Sequence, residues 1–407
     1  MPVSFPSLPF ELICNPAADT KAVYGERQTA VLNADGLAQA RQCISSWPGY
    51  APTPLVALPG LASALELGSL HYKQEAERFG LRSFKPLGGA YAVQRCLMRV
   101  AGAELGREVA PDEILNGDHA EIASRVTVTA ATDGNHGRSV AWGASMFGCR
   151  CVIYINEAVS EVREQAIAAY GAEVRRNPGS FDDAVRQAFE TAGSEGWYVI
   201  ADTSSGDDDL APRDVTQGYA VMAAEAIEQW PDDKPPSHMF LQAGVGGMAS
   251  ASCAQFWQAF GADRPMTILV EPKQSACWFA SLANGQPTAI TGDVDSFMGG
   301  LACGEISELA WEILQPGAHA ALSLQDDAAE ATMRILAKGC GDDPKVVGGE
   351  SGVAGLAGLI TCAGDKDARQ TLGLDTTSRI IVFGSEGATD EDMYKQVVGK
   401  PWQEIAG

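Results

Sequence analysis

Lys85 is the first residue in the chain whose surroundings suit covalent chemistry. It lies within residues 78–93 (RFGLRSFKPLGGAYAV), between an apolar residue and a Pro-Leu-Gly-Gly turn that opens a helix. A lysine that is partly desolvated in such a turn can supply the uncharged amine needed to form a Schiff base with a carbonyl group. Most lysines are solvated surface charges, so this segment alone favours a surface role for Lys85.

A polar loop follows a predicted strand at residues 129–144 (TAATDGNHGRSVAWGA). It places Asp133, Asn135 and His136 at a helix start, where free N–H groups can hold an anion and glycines let a planar ligand approach the backbone. An ordinary turn explains the same residues, with Asp133 as a helix N-cap and His136 satisfying the core.

A glycine-rich loop occupies residues 243–250 (AGVGGMAS) and leads into a helix of small residues. Its backbone amides, with the helix dipole behind them, can hold a phosphate without a positive side chain. The loop matches part of the dinucleotide-binding pattern, and Glu271 at the end of a later strand could contact a ribose. A nicotinamide-dependent oxidoreductase is therefore an alternative, but it leaves Lys85 and Asn135 without a role.

The elements that position these loops are short, β-branched apolar runs separated by helical stretches. Such alternation predicts an α/β fold with parallel strands covered on both faces. Helix signals span residues 160–170 and 181–190, whereas residues 204–214 and 230–237 are typical of surface loops. The predicted strands are residues 126–130, 151–155, 239–242, 267–270 and 380–383.

Composition narrows the class of function. The 407 residues carry 52 acidic and 29 basic side chains, a net charge of −23 that disfavours nucleic acid and anionic membranes as partners. No stretch approaches the roughly 20 apolar residues of a membrane span, and the first residues lack the pattern of a signal peptide. Neither the ten cysteines nor the five histidines show the spacing of a metal site. We therefore expect a cytoplasmic protein without a catalytic metal.

Three motifs in a fixed order carry a family resemblance. SFKPLGGAYA, TDGNHG and GVGGM resemble the lysine, asparagine-loop and phosphate-loop signatures of fold-type II pyridoxal-phosphate enzymes, the relatives of threonine dehydratase and tryptophan synthase β. Within that group, residues 52–390 are most similar to the diaminopropionate ammonia-lyases. The similarity rests on the surroundings of Lys85, on Asp133 directly before Gly-Asn-His-Gly, on MGGLACGE (298–305) and on GSEGATD (384–390). The usual dehydratase loop has a small residue in place of Asp133.

The resemblance implies a fold and an assembly. It implies two domains, each with a mostly parallel twisted sheet flanked by helices. The large domain would comprise residues 1–88 and 203–407, and the small domain residues 89–202. The enzyme would be a homodimer that acts on a small amino acid.

The resemblance also implies roles for individual residues. Lys85 would carry pyridoxal 5′-phosphate as a Schiff base, and Asn135 would bond the phenolic oxygen of the cofactor. Ser385 would face the pyridine nitrogen, where a hydroxyl makes the ring a weaker electron sink than a carboxylate would and favours prompt loss of a β substituent. Ser351 in GGESGVAG (348–355) would contact the substrate. The phosphate would be held by the amides of Gly244, Val245, Gly246, Gly247 and Met248.

The implied reaction is elimination of ammonia from 2,3-diaminopropionate, followed by hydrolysis to pyruvate and a second ammonia. Lys85 would remove the α-proton of the L-substrate and Asp133 that of the D-substrate. Asp202 would engage the distal amino group or assist its departure. A carboxylate at position 133 also suits, on physical grounds, a substrate with an additional cationic amine.

Two segments depart from the family pattern. The residues after Asp202 read TSSGDDDLAPRDVTQGY, in which only Gln217-Gly218-Tyr219 matches, and HYKQEAE precedes Arg78 where relatives have Lys-Asp-Glu-Ser. A related β-eliminase acting on serine, threonine or another β-substituted amino acid therefore stays open, as does a non-catalytic binding protein. A disulfide between Cys277 and Cys303 is also open, although the expected location favours free thiols.

Overall fold

A computed structural model describes residues 8–132, 134–157, 159–179, 181–204 and 209–406. The strands are β1 (Phe10–Cys14), β2 (Leu55–Ala57), β3 (Ser69–Gln74), β4 (Thr127–Ala131), β5 (Arg150–Asn156), β6 (Glu173–Asn177), β7 (Tyr198–Val199), β8 (His238–Gln242), β9 (Met266–Pro272), β10 (Ala320–Leu324) and β11 (Arg379–Gly384). The helices are α1 (Glu26–Val31), α2 (Ala34–Ser45), α3 (Pro59–Ala64), α4 (Pro86–Leu105), α5 (Pro111–Leu115), α6 (Ala120–Arg125), α7 (Asn135–Phe147), α8 (Glu161–Ala168), α9 (Phe181–Glu195), α10 (Leu210–Glu228), α11 (Gly247–Phe260), α12 (Cys277–Asn284), α13 (Glu308–Gly317), α14 (Asp326–Lys338), α15 (Ala354–Gly364), α16 (Lys366–Leu372), α17 (Glu391–Val398) and α18 (Gln403–Ala406).

The chain forms two compact units. The first comprises residues 1–31, 52–83 and 222–407, and the second comprises residues 32–51 and 84–221. The predicted domain boundaries differ from these units, since they assign residues 32–51, 84–88 and 203–221 to the large domain.

The first unit contains a sheet with the strand order β1-β10-β9-β8-β11-β3-β2. The five inner strands are parallel, while β1 and β2 pair antiparallel at the two edges. The strands β8 and β10 are buried along their whole length, as expected for a sheet covered on both faces. Because the carboxyl ends of parallel strands meet at one edge, the loops after β3, β8, β9 and β11 share that edge.

The second unit contains a parallel sheet with the order β6-β5-β4-β7. The loops after β4 and β7 leave neighbouring strands at the same edge, and they lead to Asn135 and Asp202 respectively. The fold class predicted from the sequence, α/β with two mostly parallel sheets flanked by helices, is confirmed.

The predicted elements agree with β4, β5, β8, β9 and β11 and with α8 and α9. Residues 230–237 connect α10 to β8, as predicted. The predicted loop at 204–214 is wrong in its second half, because α10 begins at Leu210, and residues 205–208 lie outside the described residues. Within the described part of the chain, no helix is long and apolar enough to cross a membrane.

Candidate active site

Lys85 lies directly before α4 in the second unit. Its Nζ is 2.8 Å from Asp202 Oδ2 and approaches the rings of Phe84 and Tyr219, at 5.5 Å and 5.8 Å from their centroids. Its side chain is 20% exposed. The interpretation of Lys85 as an ordinary surface charge is therefore wrong.

The glycines after Lys85 allow α4 to pack closely against its neighbours in this unit. A Cβ on Gly88 would lie 2.4 Å from the Tyr219 ring, and one on Gly89 would lie 2.0 Å from Ser139 Oγ in α7. On α10, a Cβ on Gly218 would lie 1.9 Å from the carbonyl oxygen of Leu87. Gly88 therefore packs against the Gly218-Tyr219 pair of α10, and Gly89 packs against α7. These contacts position the turn that carries Lys85.

Asp202 is held by contacts at the carboxyl edge of the second sheet. His136 Nε2 lies 2.7 Å from the carbonyl oxygen of Ile200, and His136 Nδ1 lies 3.8 Å from Asp202 Oδ2. Burial acts to raise the pKa of Asp202, but Lys85 and His136 outweigh it and hold that pKa well below its usual range. The Asp202 carboxylate is therefore ionised. His136 is buried and bonds the backbone, in agreement with its interpretation as a core-satisfying residue.

Asn135 is the first residue of α7, which follows β4. Thr132 Oγ1 accepts hydrogen bonds from the backbone N–H groups of Gly134 and Gly137, at 3.0 Å and 3.1 Å. The hydroxyl of Thr132 thus caps the helix that presents Asn135. Asp133 lies outside the described residues.

The glycine loop, residues 244–248, follows β8 in the first unit and leads into α11. Gly246 has φ +101°, and a Cβ there would lie 2.3 Å from the Trp278 ring. The carbonyl oxygens of Gly244 and Val245 accept hydrogen bonds of 2.9 Å from Trp278 Nε1 and from the Ser307 N–H. No side chain of the described residues caps the start of α11, so its first N–H groups can bind an anion. This geometry fits a phosphate group.

Ser385 follows β11 at the same edge of the sheet and is buried. Its Oγ accepts a 2.7 Å hydrogen bond from Gln242 Nε2. The two hydrogens of this NH₂ group also bond the carbonyl oxygens of Phe383 at 2.7 Å and, in a longer shared bond, of Gly352 at 3.2 Å. The two carbonyl oxygens fix the orientation of the Gln242 amide, because only its NH₂ group can donate to them. The hydroxyl hydrogen of Ser385 is consequently directed to an acceptor other than Gln242. The sequence offered no signal for Gln242 beyond its place at the end of β8.

Ser351 connects three of the motifs in the first unit. Its Oγ accepts from the Gly300 N–H at 2.9 Å, and its own N–H donates to Glu386 Oε1 at 2.8 Å. Gly300 in turn contacts Gly244, whose Cβ position lies 3.2 Å from the Gly300 carbonyl oxygen. The first unit thus brings together the glycine loop, Ser351 and Ser385, and the second unit brings together Lys85, Asn135 and Asp202.

A buried network of charges holds the chain that leads to Lys85. In the first unit, Arg78 bonds Glu75 at 2.8 Å and Glu225 at 2.7 Å, and Lys73 bonds Glu225 at 2.8 Å. All four side chains are at most 1% exposed. Two cations and two anions therefore compensate one another inside the unit. Of the four, Lys73 and Glu75 belong to HYKQEAE, the segment that departs from the family pattern.

Replacing Glu225 with glutamine should destabilise the protein by about 3–5 kcal/mol, because it leaves Lys73 and Arg78 buried with incomplete compensation. The measurement is the free energy of unfolding in denaturant. The control is Glu330→Gln, which removes an exposed pair with Arg334 and should cost no more than about 1 kcal/mol. Equal effects of the two substitutions would contradict the structural importance of the network.

The cysteines are free thiols, including Cys277 and Cys303. Cys277 is buried and its Sγ donates to Glu271 Oε1 over 3.5 Å. The structure therefore favours the thiol form over the disulfide. Within the described ranges, no group of three or more His, Cys, Asp or Glu residues could hold a metal ion.

Comparisons with known proteins identify the family of the chain. Residues 46–382 match the family model described as "Pyridoxal-phosphate dependent enzyme". The diaminopropionate ammonia-lyase of Escherichia coli (strain K12) is 37% identical over 389 residues, which cover 94% of this chain and 95% of that relative. The crystal structure of the holo form of the Escherichia coli enzyme aligns with a TM-score of 0.88 and 33% identity over 98% of both chains. Its complex with D-serine aligns with a TM-score of 0.87 and 32% identity, also over 98% of both chains.

Proposed function

We propose, from the premise that this chain belongs to the pyridoxal-phosphate-dependent enzymes and among them to the diaminopropionate ammonia-lyases, that it eliminates ammonia from 2,3-diaminopropionate to give pyruvate. The observation that carries the proposal is the ion pair between Lys85 and Asp202. A carboxylate that pairs with the ammonium group of the reactive lysine can also pair with the second amine of a diamino substrate.

The cofactor is pyridoxal 5′-phosphate, and the described residues fit it. The amides of Gly244, Val245, Gly246, Gly247 and Met248 would hold its phosphate, Asn135 its phenolic oxygen, Ser385 its pyridine nitrogen and Lys85 its aldehyde carbon. When bound, pyridoxal phosphate withdraws electrons from the α-carbon of an attached amino acid, so that the α-proton is acidified and a β substituent can leave.

Ser385 would donate its hydrogen to the pyridine nitrogen, because Gln242 already donates to its oxygen. A nitrogen that accepts a hydrogen bond from a hydroxyl stays unprotonated more readily than one that faces a carboxylate. Gln242 and Ser385 therefore favour prompt loss of the β substituent.

Two residues would move the α-proton. Lys85 would take it from the L-substrate and Asp133 from the D-substrate, as the family resemblance implies. Asp202, whose carboxylate pairs with an ammonium group in this structure, would bind the distal ammonium group of the substrate and orient it as the leaving group. Ser351 would contact the substrate, since its oxygen accepts from Gly300 and its hydroxyl hydrogen can donate to a substrate carboxylate.

An assay of 2-oxoacid release tests the proposed substrate, because 2,3-diaminopropionate and serine yield pyruvate whereas threonine yields 2-oxobutyrate. Purified holoenzyme should turn over D- or L-2,3-diaminopropionate with a kcat/KM at least about tenfold above that for serine or threonine, a difference of about 1.4 kcal/mol in transition-state binding. Faster turnover of serine or threonine would favour the related β-eliminase, the second candidate. A protein that binds pyridoxal phosphate and turns over none of the four would support the non-catalytic alternative.

The Asp133→Asn variant should lose about 10²- to 10⁴-fold in kcat on D-diaminopropionate and much less on the L-isomer, because an amide cannot accept the proton as a base. The ratio of the two kcat values measures this effect within one protein preparation, so a loss of folded enzyme cancels. Equal losses on both isomers would overturn the assignment of Asp133 to one face of the substrate.

We also propose a homodimer in the cytoplasm. The thiols support the location, since reduced cysteines are typical of that compartment. The dimer follows from the family resemblance, and sedimentation equilibrium of the holoenzyme tests it.

A further inference from the structure

Trp278 lies against the glycine loop of the first unit and belongs to none of the motifs from which the function is proposed. Its ring packs where a Cβ of Gly246 would lie, and its indole Nε1 donates to the Gly244 carbonyl oxygen over 2.9 Å. We propose that Trp278 is a positioning residue for phosphate binding, which orients the amides of the glycine loop toward the phosphate of the cofactor. This inference rests on the proposed function, because the phosphate is that of pyridoxal 5′-phosphate.

Peptide geometry connects the indole to the amides. In a planar trans peptide, the carbonyl oxygen of one residue and the N–H of the next point in opposite directions. The hydrogen bond from Trp278 to the Gly244 oxygen therefore directs the Val245 N–H away from the indole. In the same way, the bond from the Ser307 N–H to the Val245 oxygen directs the Gly246 N–H away from Ser307. Two successive amides are thereby oriented without any side chain of the loop itself.

Trp278 can perform this task because it is itself firmly held. It is fully buried, its N–H and that of Phe279 each donate to the Glu271 carboxylate over 2.8 Å, and its ring stacks on Trp311 at 6.1 Å between centroids. Glu271 ends β9, which pairs directly with β8, the strand that leads into the glycine loop. Glu271, considered from the sequence as a ribose contact, thus holds Trp278 by hydrogen bonds from the neighbouring strand.

The competing explanation is that Trp278 only fills the hydrophobic core. Two forms of the cofactor distinguish this packing role from a role in orienting the phosphate-binding amides. Pyridoxal has the same aldehyde and ring as pyridoxal 5′-phosphate but lacks the phosphate. A residue that acts through the phosphate-binding amides affects the affinity for pyridoxal 5′-phosphate alone. A general packing defect lowers the affinity for both aldehydes.

The experiment is a titration of the apoprotein, prepared from the holoenzyme, with each aldehyde, followed by visible absorbance. Trp278→Phe retains most of the packing and removes the indole donor, and it should weaken binding of pyridoxal 5′-phosphate about tenfold while pyridoxal changes by less than about twofold. The matched control is Trp257→Phe. Trp257 is equally buried and also donates its indole N–H to a backbone carbonyl, that of Ala22, but it lies near the far end of α11 and should change neither affinity.

A second variant removes the other hydrogen bond to the glycine loop and leaves Trp278 unchanged. Ser307→Pro removes the N–H that bonds Val245, at a position whose φ of −74° a proline can adopt, whereas Ser307→Ala keeps that N–H. We expect Trp278→Phe and Ser307→Pro to weaken the binding of pyridoxal 5′-phosphate selectively. The controls Trp257→Phe and Ser307→Ala should not weaken it. Equal weakening of both aldehydes, or unchanged binding of pyridoxal 5′-phosphate, would overturn the inference. A wild-type apoprotein that binds neither aldehyde would instead contradict the proposed function.

Discussion

The Lys85→Ala variant should release pyruvate from 2,3-diaminopropionate at least about 10³-fold more slowly than the wild type, because alanine can neither bind the cofactor covalently nor move the α-proton. It should also lose the visible absorbance band that borohydride bleaches in the wild-type holoenzyme. Both readouts depend on one amine, Nζ, which the structure places 2.8 Å from Asp202 Oδ2.

An exposed lysine provides the control for this prediction. Lys395→Ala in α17 should leave the absorbance band and the turnover unchanged. Circular dichroism of both variants checks that they are folded. A Lys85→Ala protein that retained its colour and its turnover would show that another residue carries the cofactor.

The Asp202→Asn variant should lower kcat/KM for 2,3-diaminopropionate by about 10²- to 10⁴-fold, because asparagine carries no charge that could pair with the distal ammonium group and hold it protonated as the leaving group. Serine has a hydroxyl in place of that ammonium group. The kcat/KM for serine, which is lower in the wild type, should therefore decrease much less in the variant than the kcat/KM for 2,3-diaminopropionate. The quantity to measure is the ratio of kcat/KM values for the two substrates.

Asp214→Asn is the matched control for Asp202→Asn. Asp214 pairs with Arg99 at 2.6 Å in the same unit, so its replacement also removes a carboxylate from an ion pair. It should affect stability without changing the ratio of the two substrates. If Asp202→Asn left the ratio of the two kcat/KM values unchanged, the Asp202 carboxylate would contribute to folding and not to recognition of the distal amine.

Most of the fold could be predicted because its central strands are continuous apolar runs. The strands missed at the sheet edges, β1, β2, β6 and β7, are short or polar, since an edge strand has solvent on one side and needs no hydrophobic run. The strand β10 is buried but reads AALSL, and small residues carry little strand signal.

The candidate site could be predicted to the extent that its chemistry depends on local motifs. Roles for Lys85 and the glycine loop can be predicted because each motif places a reactive or phosphate-binding group on a turn beside a helix. The contacts of Tyr219, Gln242 and Trp278 could not be predicted, because each joins segments far apart in the chain. Only Tyr219 had a signal, the Gln-Gly-Tyr motif, and the structure explains that motif by the packing of Gly218 and Tyr219 against α4.

The altered segment HYKQEAE, with Arg78 directly after it, also required the structure for its explanation. Lys73, Glu75 and Arg78 look like surface charges in the sequence, yet they are buried. Glu75 and Glu225, the latter from α10, compensate the two cations. The partner lies about 150 residues away in the chain, so no local pattern could reveal it. Arg82, which follows this segment, contacts Trp402 and Glu391 near the carboxyl terminus in the same unit.

The ratio of ammonia to pyruvate is the most direct measure of the proposed reaction. Elimination and hydrolysis of 2,3-diaminopropionate with one water molecule yield one pyruvate and two ammonia, whereas elimination from serine yields one of each. Holoenzyme supplied with 2,3-diaminopropionate should therefore release the two products in a ratio of two ammonia to one pyruvate. Release of ammonia without pyruvate, or no turnover of either isomer, would contradict the account.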